Sequence, residues 1–354
     1  MGGNALKEYP TERKSAEDYF ALTDEFAIKF NARFGFWPVL IQAYLEKADF
    51  GDADFLIKSE YLPPNWIDIL KDEFELNKNQ IVRNSDVTSI GWKNFQFDLI
   101  KTNDLNAAMF YFSYNDLGNL LGRLTKKLGV KFGHEGLSMI IRHKDRGDHV
   151  LKEIKITSEP AEILELIGLS ITKYLDGFNT LEDIYEFVIS SKWFNRDIYL
   201  FENRNSINRR RDKKRSTYNG FLKYIDEHQS ENKHVFKQKT ELGGYSIVMP
   251  YYEAEILPRW PWLKPVVDKI IADFELELQF KAVYNGNIVA EHTGYSGKIL
   301  GAFMTKMKER ITPEVMKLWV ERPHLVDLNI ANLFLEVGGI TFMQDSVLLQ
   351  DSIV

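Results

Sequence analysis

The chain has 354 residues, 44% of them hydrophobic, and a formal net charge of −6. That content supports a sizeable core divided over two or three domains, and the lack of cysteine excludes disulfides and any cysteine-ligated zinc or iron–sulfur centre. The opening stretch MGGNALKEYPTERKS has no apolar core of the secretory kind and no apolar run reaches membrane-spanning length, so a soluble, cytoplasmic protein without a membrane partner is expected.

Residues 15–34, SAEDYFALTDEFAIKFNARF, predict a helix capped by Ser15, with Asp18 as its capping-box partner and Phe20, Phe26 and Phe30 near helical spacing. PVLIQAYLEK (38–47) and DADFLIKS (52–59) read as strands, and WIDILKDEF (66–74) as a short helix. Residues 87–102 form an expected hairpin that turns near Gly91 to Asn94 and returns through FQFDLI. A helix over 117–132 follows, then two strands, GLSMIIRH and HVLKEIKITS, joined by the polar turn KDRGD. Strands alternating with helices imply a mixed sheet with helices against it. Beyond Glu159 the pattern is mostly helical, and boundaries are placed near residues 157 and 230. Three domains are therefore expected: 1–157, 158–230 and a mostly helical 231–354.

The chemistry concentrates in ADFGDADFLI. On a strand, alternate side chains face the same way, so Asp52 and Asp54 project together. Two such carboxylates repel unless a cation neutralises them, and hard oxygen donors suit Mg²⁺. A lone D-x-D also arises as a capping or solvent feature at a strand end. Asp98, inside the apolar run FQFDLI, sharpens the metal reading, because a buried acid between Phe97 and Leu99 needs a partner. If its strand is adjacent, three carboxylates converge and can hold two metal ions for in-line phosphoryl displacement.

G-D-x-D followed by apolar residues, then a distal strand of the form Φ-Q-Φ-D-L-I, resembles the DNA polymerase-beta nucleotidyltransferase superfamily over roughly residues 1–157. The resemblance implies an α+β fold in which a mixed-sheet nucleotidyltransferase head precedes a mostly helical C-terminal half. It implies two Mg²⁺ ions, an NTP substrate such as ATP, Asp52 and Asp54 as ligands to both metals, and Asp98 as the third carboxylate that helps activate the attacking hydroxyl. The superfamily places a Gly-Gly or Gly-Ser pair about ten to twenty residues before the acids. This chain has none there, and Gly2-Gly3 is the one candidate for approach to a triphosphate, with Lys47 as a further phosphate contact.

Between Ser113 and Leu137 the sequence is dense in glycine and polar residues. Ser113, Asn115, Asp116, Asn119 and Arg123 are candidate nucleotide contacts there, with Lys126 and Lys127 on phosphates; in the plainer reading Ser113 or Asn115 caps a helix and Arg123 to Lys127 is a solvated face, and the functional reading is kept for Asn119 and Arg123. His134 reads as a turn residue. Residues 204–215, RNSINRRRDKKR, set Arg204, Arg209, Arg210, Arg211, Lys213, Lys214 and Arg215 against the single acid Asp212. As a basic loop flanked by Tyr199 and Tyr218 it is a candidate to hold nucleic-acid phosphates and stack unpaired bases; a solvated, mobile loop is the plainer reading. Gly294 and Gly297, with Gly301 inside the helical LGAFMTKM, resemble a segment after the catalytic head of tRNA nucleotidyltransferases and poly(A) polymerases.

Together these features predict NMP transfer from an NTP to an acceptor hydroxyl, with a tRNA-like RNA 3′ end as the expected acceptor. Two alternatives stand beside it: transfer to a protein or small molecule, in the manner of toxin-like members, and a noncatalytic binding or assembly protein that keeps the head.

Overall fold

The computed structural model describes residues 5–143, 149–236, 251–326, 330, 331 and 335. The chain divides into two compact units, Met1–Pro261 and Trp262–Val354. Residues 158–236 thus fall in the same unit as the sheet. Gly2 and Gly3 lie outside the described residues, as does the turn at 144–148.

In chain order the first unit contains β1 (Lys14–Ser15), α1 (Ala16–Phe34), β2 (Val39–Leu40), β3 (Asp49–Phe50), β4 (Asp52–Lys58), α2 (Trp66–Glu73), β5 (Ile81–Asn84), β6 (Val87–Trp92), β7 (Phe95–Thr102), α3 (Leu105–Phe112), α4 (Leu117–Lys127), β8 (Val130–Gly133), β9 (Gly136–His143), β10 (His149–Thr157), α5 (Pro160–Leu166), α6 (Ile171–Leu175), α7 (Leu181–Ser190), α8 (Ser206–Asp212) and α9 (Ser216–Glu227). The second holds α10 (Leu263–Val283), α11 (Gly286–Thr293), α12 (Gly297–Arg310) and α13 (Pro313–Glu321). The fold is α+β with a mixed sheet. No described helix is long and apolar enough to cross a membrane.

Five strands form the main sheet in the order β2-β4-β7-β6-β5. β4 and β7 run parallel at its centre; the other neighbours are antiparallel. One face carries Ala53, Phe55 and Ile57 of β4 with Phe95, Phe97 and Leu99 of β7, all buried against α1 and α2. Ser15 caps α1 as expected, accepting from Asp18 N–H at 3.2 Å. The buried stripe of α1 is Tyr19, Thr23, Phe26 and Phe30. Phe20, expected in that stripe, is 52% exposed, because the i, i+4, i+7 and i+11 positions set by Tyr19 turn it outward. The rings of Phe26 and Phe97 stack at 4.4 Å, and each such buried aromatic contributes about 1.5–3 kcal/mol.

The opposite face is polar at one end and apolar at the other. Leu56 and Ile100 pack with Ala108 of α3, while the positions before them on the same face are Asp54 and Asp98. Two expected elements are shorter than the apolar pattern suggested. Of 38–47 only Val39–Leu40 pairs with β4; after Ile41 donates to Asp54 O at 2.9 Å the chain leaves the sheet, and Leu45 and Glu46 donate instead to Phe178 and Asn179 carbonyls. The expected helix 117–132 stops at Lys127, and residues 130–133 become β8 of a three-stranded antiparallel sheet with β9 and β10. The turn of the β6–β7 hairpin is Lys93-Asn94, both with positive φ, so Gly91 belongs to the strand.

The second unit is helical, with Phe280, Tyr284, Val289, Phe303, Met307 and Trp319 at its core. Gly294 closes α11 in the left-handed conformation, a C-cap that glycine adopts without steric cost, and Gly297 opens α12.

Candidate active site

In the parallel ladder of β4 and β7, Asp52 faces Gln96 and Asp54 faces Asp98; in the next pair Asp98 faces Ser89. With strands about 4.8 Å apart, Asp54, Asp98 and Ser89 form one row across three strands on the polar end of the sheet. The three acids expected to share a site therefore share a face and a strand end.

Their electrostatics follow from that row. Burial, then the charges of Asp52 and Asp98, push the Asp54 carboxyl well above the usual carboxylate range. Asp98 is pushed up to about 6, mainly by burial and further by Asp52, against hydrogen bonds from Ser89 and Gln96 that favour its charged form. Gln96 Nε2 donates to both Asp98 oxygens, at 2.9 and 3.1 Å.

Asp52 and Asp54 open into a cavity of about 660 Å³ whose wall also includes Arg13, Lys47, Lys214 and Arg215. Lys47 rests its ammonium 4.3 Å from the Phe50 ring. Burial lowers its proton affinity, and the charges of Asp52 and Asp54 oppose that lowering. It lines the cavity beside the acids. Arg13 precedes β1, which pairs with β3, and forks onto Asp49 at 2.6 and 2.9 Å. Ser216 and Thr217, in the first turn of α9, bring a helix N-terminus with its partial positive charge into the wall. Sequence reasoning missed Arg13, Ser216 and Thr217, because only the packing of distant segments brings them here.

Asp52 and Asp54 fit a hard divalent cation: two oxygen donors on one face, one of them with its charge disfavoured by its neighbours. Asp98 does not line the cavity, and its oxygens are committed to Gln96 and Ser89. Among the described residues no set of three or more His, Asp or Glu side chains is drawn together closely enough to hold a metal ion as it stands.

Gln96 also reaches the N-terminus: Ala5 N–H donates to its Oε1 at 2.9 Å. Leu6 and Tyr9 lie over Gly91, where an added Cβ would meet Tyr9 Cδ1 at 2.3 Å and Leu6 Cδ1 at 2.9 Å. Asn94 N–H donates to Tyr9 Oη at 3.0 Å. The segment from Ala5 to Tyr9 is therefore laid along the sheet beside Asp98, and Gly91 is small to admit it.

Other expected contacts fall elsewhere. Asn119 and Arg123 line a second cavity of about 480 Å³, whereas Asn115 and Asp116, just before α4, line the acid cavity. The basic stretch is not one exposed loop. Residues 206–212 are helical, capped by Asn205. Arg204 is buried and paired with the buried Asp212, and Arg209 donates to Arg204 O at 2.9 Å. Arg215 is paired with Asp116. Arg210, Arg211, Lys213 and Lys214 stay exposed. Tyr199 and Tyr218, expected to stack bases, are wholly buried, and Tyr218 donates to Tyr199 O at 2.6 Å; they belong to the core because their rings fill the gap between Phe194, Phe201 and Phe221.

No protein-family model and no curated protein matches the chain.

Proposed function

We propose that this protein is a metal-dependent nucleotidyltransferase that moves a nucleoside monophosphate from an NTP to an acceptor hydroxyl, with an RNA 3′ end as the acceptor. The observation that carries the proposal is the row of Asp54 and Asp98 on adjacent parallel strands, with Asp52 two residues along the same face. Structural economy does not account for three like charges there, since each raises the cost of the next.

Asp52 and Asp54, which line the cavity, would hold Mg²⁺. When bound there, Mg²⁺ would supply positive charge against the oxygens of the reacting phosphate. Asp98, behind the cavity wall in the same row as Asp54 and with its carboxyl raised by burial, would accept the proton of the acceptor hydroxyl once the acceptor enters that row. The freed oxygen forms the new bond to the α-phosphorus while the bond to pyrophosphate breaks. Lys47 and Arg13 face the leaving phosphates. Gln96 and Ser89 hold the Asp98 carboxylate in place.

An RNA acceptor is supported by Lys214 in the wall of the acid cavity and by the exposed Arg210 and Lys213 near it in sequence. The pairing of Arg204 and Arg215 with internal acids removes two of the seven cations from that argument. Incubation with each labelled NTP, Mg²⁺ and total cellular RNA tests the proposal. Label entering RNA supports it. Label on protein or a small molecule moves the acceptor, and no label on anything with any NTP contradicts transfer.

A further inference from the structure

The second cavity, about 480 Å³, lies within the range of about 300–1,000 Å³ common to ligand pockets. Its wall brings five cations together from four elements: Arg123 and Lys126 from α4, Lys131 from β8, Arg142 from β9 and Arg211 from α8. No carboxylate lines it among the described residues. In a chain of net charge −6 this concentration of one sign is a local exception. Like charges gathered in a concave wall repel one another, and such a wall concentrates anions.

Two of the five have partners. Lys131 is held by Glu153 at 2.9 Å, and Arg142 has an interaction of its own. The other three carry the site. Asn119, Arg123 and Lys126 recur at i, i+4 and i+7, which sets them on one face of α4. Arg123 Nη2 reaches Asn119 Oδ1 at a long 3.3 Å, and its Nε is buried without a hydrogen-bond partner. Asn119 is 8% exposed, and its Nδ2 also has none. Arg211 meets Asp212 only at 3.9 Å. Donors of the right kind for an anion are thus left over in the wall and behind it. Guanidinium forks match phosphate oxygens in pairs, so phosphate is the fitting class.

We propose that this cavity is a phosphate-binding site separate from the acids. The phosphate belongs either to a nucleic-acid backbone or to a free phosphate or pyrophosphate. The segment from Asn208 to Arg215 favours a chain, because its early residues line this cavity and its last ones line the acid cavity. The assignment stands on the cavity and not on the transfer reaction.

The test uses the full chain and two probes, a labelled single-stranded RNA oligonucleotide and inorganic pyrophosphate, with binding followed over a salt series. The variant is Lys126→Glu with Arg211→Glu, both exposed positions. Lys78→Glu with Arg83→Glu makes the same change of charge at the edge of the main sheet. The cavity variant should bind about tenfold or more weakly than the edge variant, with a flatter salt dependence. Loss for RNA alone assigns the backbone, loss for pyrophosphate alone assigns a small phosphate, and loss for both assigns phosphate from either source. Equal affinities of wild type and both variants for both probes would overturn the site, as would equal losses in the two variants. Retained binding with no nucleotide transfer would leave this site standing and fault only the transfer reading.

Discussion

Asp54 and Asp98 are direct partners across the parallel pair at the centre of the sheet, with their neighbours Ala53, Phe55, Phe97 and Leu99 buried in the opposite core. The alternation that buries four apolar side chains on one face is what holds the two acids together on the other. A one-residue slip of either strand would separate them and turn a carboxylate into the aromatic core.

The cost of burying Asp98 in its charged form, close to Asp52, should be measurable as stability. Asp98 binds its proton more tightly folded, near pH 6, than unfolded, near the ordinary 3.8. Between those values the folded state holds a proton that the unfolded state has lost, so stability falls as pH rises through the window. Above it the deficit persists, on the order of 3 kcal/mol. In metal-free buffer Asp98→Asn should therefore be the more stable protein near neutral pH, with the gap closing toward about pH 4. Urea unfolding at a series of pH values checks this; a gap independent of pH would contradict the electrostatic account. Added Mg²⁺ should stabilise wild type more than the variant.

Arg204 is a structural cation. Its partner Asp212 is fully buried, and removing one member of a buried pair leaves an uncompensated charge, costing about 3–5 kcal/mol. Arg204→Ala should lower the thermal midpoint sharply, while Arg210→Ala, at an exposed position, should leave it nearly unchanged. Similar midpoints for the two variants would show that the Arg204 pair contributes little.

Gly91→Ala should push the segment Ala5–Tyr9 off the sheet, because the new methyl would fall within 2.3 Å of the Tyr9 ring. The expected cost is about 1–3 kcal/mol. Faster proteolytic cleavage near Tyr9 would report the displacement. Unchanged cleavage together with unchanged stability would mean that the segment adjusts without leaving.

The Asp52–Asp54 pair was legible because strand alternation is strict, and Asp98 stood out as a lone acid within an apolar run; that its strand lies beside β4 in the register that faces it with Asp54 comes from the sheet pairing. The α1 cap, the hairpin and the helical second unit were legible for similar local reasons. The basic run misled, because charge density alone does not reveal that Asp212 lies buried against Arg204 or that Asp116, some hundred residues upstream in sequence, takes Arg215. Tyr199 and Tyr218 misled in the same way: an aromatic beside cations fits a stacking platform as well as a core. Residues 41–47 read as strand from their composition, yet Leu45 and Glu46 donate to the carbonyls of Phe178 and Asn179, a contact no local pattern announces. Arg13 and Ala5 reach the acids only through the β1–β3 pairing and Gln96.

The central claim is that the three acids support nucleotide transfer, and Asp98→Asn tests it most directly. Asparagine keeps an oxygen for the Gln96 and Ser89 hydrogen bonds but can neither accept the acceptor's proton nor carry the third negative charge. Transfer from each α-labelled NTP to RNA should be measured for wild type and variant in Mg²⁺, with unfolding curves recorded on the same samples. The variant should fold at least as stably as wild type and transfer at least about a hundredfold more slowly, the scale of a lost general base. Near-normal transfer by a folded Asp98→Asn protein would contradict the claim and leave Asp98 a structural residue.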